Sequence, residues 1–283
     1  MKRPLISSRA EAEGLGAGIL GSMRACIRIV LIFFVLALTY FLILFRRLLP
    51  PGAGWRWRKI VFRFWARTSA AVLGLRITVR GTPPESPYVI ISNHLSYVDI
   101  IALATRLDAV FIAKSEVEEW PFLGRVIKAF DCIFIDRDDA RSAIRVNREI
   151  EEAFEGRKGV LFFPEGTSSA GTGILPFNAA LFRSAADRLY PVHFVTIFYR
   201  TPRKEIPASR SVCWWGDMEF MPHLKDLLRM KTFKARFVFG DRPVRSGQRK
   251  DLARQLWEAA QEQFVPRRLI STEFLLSNQA KVF

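Results

Sequence analysis

The chain has few of the residues that build metal sites and disulfide frameworks. Its 283 residues include only 3 cysteines and 3 histidines. Cys26, Cys132 and Cys213 are odd in number and lie far apart, without the close spacing of metal ligands. We therefore predict that the protein has no metal site and no disulfide framework, and that its main domain occupies a reducing compartment.

Acidic residues are missing from a long N-terminal stretch. Residues 14–84 contain no Asp or Glu but 11 Lys and Arg, whereas residues 85–283 contain 29 basic and 25 acidic residues. Most of the net charge of +16 therefore belongs to the N-terminal quarter. We divide the chain into a basic, aromatic-rich, membrane-associated helical region (1–84) and an α/β domain (85–283).

The same N-terminal region contains one long apolar run. Ile29–Phe45 has 17 residues without a charge, and arginines lie on both sides of it. This length is the lower limit for a helix that spans a bilayer. A signal peptide is the competing interpretation, but the run is followed by "RRLLPPG" and not by a small-residue cleavage site. A helix that is apolar all round suits lipid better than a protein core, so the run predicts membrane insertion. Whether it spans the bilayer or enters one leaflet stays open.

The segment that follows mixes aromatic and basic side chains. Such a mixture suits the lipid headgroup layer, although it can also bind single-stranded nucleic acid. The adjacent apolar run favours lipid, so we predict a bilayer partner and no nucleic-acid partner. The side chains concerned are Trp55, Trp57, Phe62, Phe64 and Trp65, with Arg56, Arg58, Lys59, Arg63 and Arg67.

Beyond residue 84 short apolar runs alternate with helical patterns. The runs are "YVIIS" (88–92), "AVFIAK" (109–114), "CIFID" (132–136), "VLFFP" (160–164) and "PVHFVTIFY" (191–199). The clearest helical pattern, residues 140–157, repeats its apolar residues at helical spacing. This alternation predicts an α/β fold with a mixed sheet covered by helices, preceded by the membrane-associated helical segment.

One histidine lies where α/β proteins place their active sites. His94 follows the predicted strand "YVIIS", and Asp99 lies five positions further on. A histidine can act as a general base when a carboxylate orients its other nitrogen. In a regular helix this spacing would separate the two side chains by about 140°. They can meet only if the backbone bends between them; otherwise His94 merely fills space in a loop.

A second polar stretch also follows an apolar strand. In "FFPEGTSS" (162–169), Glu165 and Gly166 come directly after the strand and Pro164. Glycine permits a turn that is closed to other residues, and amide groups in such a turn can face an anion. Taken alone, the stretch is more typical of an ordinary loop with a solvated glutamate, because loop glutamates usually lie at the surface.

The order of these motifs resembles the glycerolipid acyltransferase family, which includes the lysophosphatidic acid acyltransferases. The family pattern is NHxxxxD, a block like IFIDR, FPEGT, and then a proline-valine strand. The chain has His94 and Asp99, then "IFIDR" (133–137), "FPEGT" (163–167) and "YPV" (190–192) in this order. The resemblance covers roughly residues 85–200.

The resemblance implies transfer of a fatty acyl group from a thioester to a hydroxyl. His94 would take the hydroxyl proton and Asp99 would hold the imidazole. Glu165, Gly166 and Thr167 would shape the acceptor pocket, and Lys114 and Arg137 would meet a phosphate or another anionic group. No resident cofactor is implied, because acyl-CoA or acyl-acyl carrier protein serves as co-substrate. The expected location is a membrane, with the catalytic domain on the cytoplasmic face, the inner membrane if the source is bacterial.

One departure from the family pattern concerns the acceptor. The family usually continues as E-G-T-R, whereas Thr167 is followed here by Ser168 and Ser169. The main expectation is 1-acyl-sn-glycerol-3-phosphate as acceptor, giving phosphatidic acid in phospholipid biosynthesis. The alternative is lyso-ornithine lipid, because "SSAGTGILPFNAALF" resembles the branch that acylates non-phosphate lyso-lipids. A third hypothesis, a non-catalytic membrane-binding protein, is disfavoured by the intact His94–Asp99 pair.

Overall fold

The computed structural model describes residues 6–50, 53–119, 123–136, 139–203 and 205–264. In these residues a seven-stranded sheet has the order β1-β7-β6-β2-β5-β3-β4. The strands are β1 (Leu75–Arg80), β2 (Tyr88–Ser92), β3 (Ala109–Lys114), β4 (Ile133–Ile135), β5 (Gly159–Phe162), β6 (Val192–Arg200) and β7 (Phe233–Phe239). Strands β6, β2, β5, β3 and β4 are mutually parallel, whereas β7 pairs antiparallel with β6 and parallel with β1.

Helices cover the sheet, which confirms the predicted α/β fold. They are α1 (Ile6–Phe45), α2 (Ala53–Leu73), α3 (Val98–Ala104), α4 (Leu123–Ala129), α5 (Ala140–Glu155), α6 (Arg183–Asp187), α7 (Ala208–Ser211), α8 (Phe220–Arg229) and α9 (Arg249–Gln263). The core on one face of the sheet includes apolar residues of α1, α2, α3 and α8, and the core on the other face includes residues of α5, α6 and α9. The two faces of the sheet are therefore covered by different sets of helices, and only one of them is packed against α1.

Helix α1 contains the predicted apolar run and exposes much of it. The segment Gly18–Phe45 is long and apolar enough to cross a membrane, with a mean hydropathy of 2.7 in its best window. Val30, Phe33, Phe34 and Phe41 are each more than 60% exposed. A helix with this much apolar surface outside the protein core has the character of a lipid-facing helix.

Polar contacts fix α1 to the rest of the molecule. The buried Arg28 guanidinium donates hydrogen bonds to the carbonyl oxygens of Leu228 and Met230, at 3.1 and 2.6 Å. These carbonyls lie at the C-terminal end of α8, where helix carbonyls lack partners within the helix. On the other side, the Trp57 indole of α2 donates to the Leu42 carbonyl at 2.6 Å, and α1 packs against α2.

The sheet begins ahead of the boundary expected at residue 85. Strand β1 pairs with β7 along its whole length, from Leu75 with Phe233 to Arg80 with Val238. In α2, Val61, Phe62 and Trp65 are buried in the same core cluster as the sheet residues. Helix α2 and β1 are thus part of the α/β core as well as of the N-terminal stretch without acidic residues.

Candidate active site

The loop after the central strand β2 is held rigidly against its neighbour β6. Asn93 accepts a hydrogen bond from the Ile197 amide at 2.7 Å and donates one to the Ile197 carbonyl at 3.1 Å. Asn93 is 1% exposed, so both bonds are shielded from water. The Asn93 side chain thus pairs with the backbone N–H and C=O of β6 as a further strand residue would, and it extends the sheet by one residue. His94 therefore begins from a fixed position at the carboxyl edge of the sheet.

His94 and Asp99 meet because the backbone bends into α3 between them. The distance from His94 Nδ1 to Asp99 Oδ2 is 2.8 Å. The same Oδ2 accepts from the Leu95 amide at 2.6 Å and from the Ser96 amide at 3.0 Å. The Ser96 hydroxyl accepts from the Val98 amide, which fits the capping role expected of a serine at a helix start. The pairing anticipated from the sequence is thus present in the structure.

Asp99 also receives a hydrogen bond that the sequence did not reveal. The Tyr199 hydroxyl on β6 donates to Asp99 Oδ1 at 2.7 Å, and Asp99 is 0% exposed. Burial, followed by the nearby Asp99 charge, raises the pKa of the Tyr199 hydroxyl well above its usual value, so the hydroxyl keeps its proton. A buried carboxylate needs partners for its lone pairs, and two amides, a phenol and an imidazole supply them here.

The contact with Asp99 determines the state of the His94 ring. An ionised carboxylate only accepts hydrogen bonds, so Nδ1 donates to it, and in the neutral ring the lone pair is then on Nε2. The ring stacks on Phe163, with centroids 4.2 Å apart and planes 20° apart. The His94 side chain remains 18% exposed. The ring is therefore oriented on one side and accessible on the other, as a general base requires.

Glu165 lies beside His94 as a buried carboxyl group. Its Oε1 accepts from the His94 amide at 3.4 Å, and Oε2 has no hydrogen-bond partner among the described residues. Burial raises the pKa of Glu165 to about 8, and the neighbouring Asp99 charge acts in the same direction. The group is therefore largely protonated at neutral pH and can donate a hydrogen bond. Gly166, at a φ of 72°, adopts the left-handed conformation that turns the chain away after this residue.

Two further segments hold the His94 loop in place. The Ser169 amide donates to the His94 carbonyl at 2.9 Å, and the Trp214 amide donates to the Leu95 carbonyl at 2.8 Å. The Ser168 hydroxyl in turn donates to the Trp214 carbonyl. Ser168 is therefore engaged with the protein, and the segment around Trp214, to which the sequence assigned no role, supports the site.

The other candidate residues are placed differently. Lys114 ends β3 at the same edge of the sheet, but its ammonium pairs with Glu116 and is 45% exposed. Thr167 is exposed on the loop after Gly166. Arg137 lies outside the described residues. The structure thus brings together His94, Asp99 and Glu165, and in the part of the chain that it describes no group of His, Cys, Asp or Glu could hold a metal ion.

Comparison with known proteins agrees with this geometry. Residues 76–200 match the family model described as Acyltransferase. The chain is 34% identical to a lyso-ornithine lipid O-acyltransferase of Rhodobacter capsulatus over 72% of this chain and 76% of that protein. It is 37% identical to a 1-acyl-sn-glycerol-3-phosphate acyltransferase of Neisseria gonorrhoeae over 59% of this chain and 66% of that protein.

The fold has a counterpart among solved structures. The 1-acyl-sn-glycerophosphate acyltransferase PlsC from Thermotoga maritima superimposes with a TM-score of 0.64, over 86% of this chain and 96% of that one, at 18% sequence identity. With the matches above, these findings show that the chain belongs to the acyltransferase family that includes the lysophosphatidic acid acyltransferases. It is an acyltransferase of lipid metabolism, and the family expected from the sequence motifs is confirmed.

Proposed function

We propose that the protein is a membrane-associated enzyme that moves a fatty acyl group from acyl-CoA or acyl-acyl carrier protein to the free hydroxyl of a lyso-lipid. The observation that carries this proposal is the 2.8 Å contact between His94 Nδ1 and the buried Asp99 carboxylate. With a proton on Nδ1, the neutral ring has its lone pair on Nε2, and the ring is partly exposed. The sheet edge therefore presents a base that needs only a bound hydroxyl to act on.

The reaction follows from these contacts without an acyl-enzyme intermediate. His94 Nε2 accepts the hydroxyl proton as the acceptor oxygen attacks the thioester carbonyl carbon. The carbon–sulfur bond then breaks, and the imidazolium returns the proton to the leaving thiolate. Asp99 stabilises the imidazolium in between. No resident cofactor takes part, because the thioester itself is the activated acyl group.

Glu165 has a role in this scheme that its burial makes possible. A protonated carboxyl group donates a hydrogen bond from Oε2, whereas a carboxylate there would repel an incoming anionic lipid. We place the acceptor beside this group, with Gly166 and Thr167 lining the same turn and Lys114 near its charged end; the anion contact expected of Arg137 falls outside the described residues. Glu165 would thus bind the acceptor next to the base that deprotonates it.

Tyr199→Phe tests whether the phenol orients the catalytic pair. Loss of the Tyr199 hydroxyl leaves Asp99 Oδ1 without this hydrogen bond, so the carboxylate holds the His94 ring less firmly. We expect kcat to fall about tenfold, the value of one charged hydrogen bond at about 1.4 kcal/mol, while KM for both substrates stays near that of wild type. The control is Tyr190→Phe, whose ring stacks on Phe154 away from the site. An unchanged kcat in Tyr199→Phe would show that the phenol only fills space.

The structure favours an acceptor without a phosphate as a second candidate. Ser168 occupies the position of the family's arginine, and its hydroxyl is used by the Trp214 carbonyl. Lys114 is paired with Glu116, so this cation is already partly neutralised. Lyso-ornithine lipid is the acceptor named for the Rhodobacter capsulatus relative, and the name indicates an ornithine headgroup. We propose that it is accepted alongside lysophosphatidic acid.

Competition between the two acceptors tests the proposed function and the acceptor together. Purified enzyme and a labelled acyl donor are incubated with lysophosphatidic acid and lyso-ornithine lipid, and both products are quantified. Wild type should acylate both. Ser168→Arg should shift the ratio toward the phosphate acceptor by about tenfold or more, because one charged hydrogen bond is gained. Ser168→Ala is the control for loss of the Trp214 contact. Absence of product from any lyso-lipid would refute the function, and an unchanged ratio would refute the role of position 168.

The exposed surface of α1 supports the membrane part of the proposal. The lipid bilayer would receive the apolar segment Gly18–Phe45, and the exposed Arg56 and Arg67 of α2 would face anionic headgroups. Arg58 does not, because it is buried and pairs with Asp108. The few, widely spaced cysteines suit a reducing compartment, and we therefore propose that the catalytic domain lies on the cytoplasmic face, at the inner membrane in a bacterium. Acyl donors of both kinds are cytoplasmic, so this orientation brings the site to its substrates.

A further inference from the structure

A row of three cations crosses neighbouring strands at one end of the sheet. Arg76 on β1 pairs in register with Lys234 on β7, and Lys234 pairs with Arg200 on β6. Residues directly opposite in paired strands project from the same face. Arg236 and Arg80 lie two and four residues further along the same face of β7 and β1. We call these five residues the cationic row.

The cationic row has no counter-charge within the described part of the chain. None of its members forms an ion pair with a described carboxylate, although other surface cations do, such as Arg145 with Glu149 and Arg254 with Glu258. Arg76, Lys234 and Arg200 are exposed. Like charges directly opposite one another destabilise a sheet. Such an arrangement is explained if an external partner supplies the negative charge.

The location of the cationic row excludes the membrane as its natural partner. Leu75, Ile77 and Phe233 alternate with the row and pack into the core beside α1 and α2. The row therefore projects from the opposite face of the sheet to the two helices that would contact lipid. An anionic partner on this side arrives from the aqueous phase.

The row is also close to the catalytic loop. The Asn93 side chain, adjacent to His94, is hydrogen bonded to Ile197 on β6. Arg200 lies three residues further along the same strand, roughly 10 Å at the usual rise of a β-strand. A protein held at the row can thus reach His94 with a flexible arm.

We propose that the cationic row docks the acidic surface of an acyl carrier protein, the acyl donor. This inference rests on the proposed function and chooses between its two donors. Acyl carrier proteins are acidic and present the acyl thioester at the end of a flexible phosphopantetheine arm. The row would hold the carrier on the aqueous side of the sheet while the arm brings the thioester carbonyl to the acceptor hydroxyl at His94. Acyl-CoA, which lacks a protein surface, would not need these residues.

Charge reversal at the row tests the proposal. The row variant is Arg200→Glu/Lys234→Glu. The control variant is Arg249→Glu/Lys250→Glu, which reverses the same number of exposed cations at the N-terminal end of α9. Binding of fluorescently labelled holo-acyl carrier protein is measured by anisotropy at low and high salt. The value of kcat/KM is measured with acyl-acyl carrier protein and with acyl-CoA of the same chain length.

The row variant should bind the carrier at least about tenfold more weakly than wild type, and the wild-type affinity should fall with salt. Its kcat/KM should fall with the carrier donor only, and the control variant should resemble wild type. Equal carrier binding by wild type and row variant would overturn the proposal. An equal fall of kcat/KM with acyl-CoA in the row variant would also overturn it, because the row would then bind the nucleotide part of the donor. So would a loss of binding to anionic vesicles in the row variant, because the row would then contact lipid. If wild type transfers an acyl group from neither donor, the proposed function fails. The binding assay still shows in that case whether the cationic row binds the acyl carrier protein.

Discussion

His94→Ala should lower acyl transfer by about 10²–10⁴-fold, the contribution of a general base in enzymes of this kind. In the proposed mechanism His94 Nε2 is the base, because Nδ1 donates to Asp99. The variant should remain folded, since the side chain is partly exposed and mainly contacts the Phe163 ring. Initial rates with a labelled thioester donor and an excess of lyso-lipid measure the loss.

Circular dichroism and thermal unfolding provide the control for His94→Ala. Asp99→Asn should also be severely impaired, because an amide at this position no longer selects the Nδ1–H tautomer. It should in addition lower stability, since Asp99 accepts bonds from two amides and Tyr199. A folded His94→Ala variant with turnover near that of wild type would exclude His94 as the base.

The sequence was sufficient to predict that His94 and Asp99 follow a strand end. Local signals determine both, because an apolar β-branched run precedes His94 and a helix start follows it. The motif order then indicated the family, which the comparisons confirmed. Whether His94 and Asp99 meet could not be read from their spacing. That depends on the turn formed by the Leu95 and Ser96 amides around the Asp99 carboxylate.

Contacts between distant parts of the chain were not predictable. Tyr199 reaches Asp99 only because β6 lies beside β2 in the sheet, and Trp214 supports Leu95 from a segment more than 100 residues away. Neither residue belongs to a motif with a recognisable spacing. The buried state of Glu165 was missed for the same reason. Its loop is closed by other parts of the chain, so the solvated glutamate that the sequence alone allowed is not what the structure shows.

The domain boundary illustrates how charge composition can mislead. The lack of acidic residues continues to Pro84, but α2 and β1 lie within this stretch and contribute Phe62, Trp65 and Leu75 to the core. The basic and aromatic residues of this stretch therefore belong partly to the proposed lipid surface and partly to the core of the α/β domain. A truncation before Gly81 would open the core, so the membrane role of α1 has to be tested by substitution.

The substitution Phe34→Asp/Phe41→Asp should abolish most membrane binding by α1. Both phenylalanines are exposed, at 62% and 68%, and lie within the segment Gly18–Phe45. An aspartate in the middle of a membrane helix costs about 3 kcal/mol relative to phenylalanine, so two of them weaken insertion by about 6 kcal/mol. This corresponds to a shift on the order of 10⁴-fold in partitioning. Flotation with phospholipid vesicles measures the bound fraction.

The variant Ile144→Asp is the matched control, because Ile144 is equally exposed at 64% but lies on α5, on the other side of the sheet. It should float with vesicles as wild type does. Transfer to a short-chain, water-soluble lyso-lipid should survive in the α1 variant, since His94 and Asp99 are untouched. If Phe34→Asp/Phe41→Asp still floats fully, α1 does not enter the bilayer, and its apolar surface must be covered by protein. If Ile144→Asp detaches equally, the bilayer contacts the face that carries the cationic row, and the docking of a soluble carrier there would be untenable.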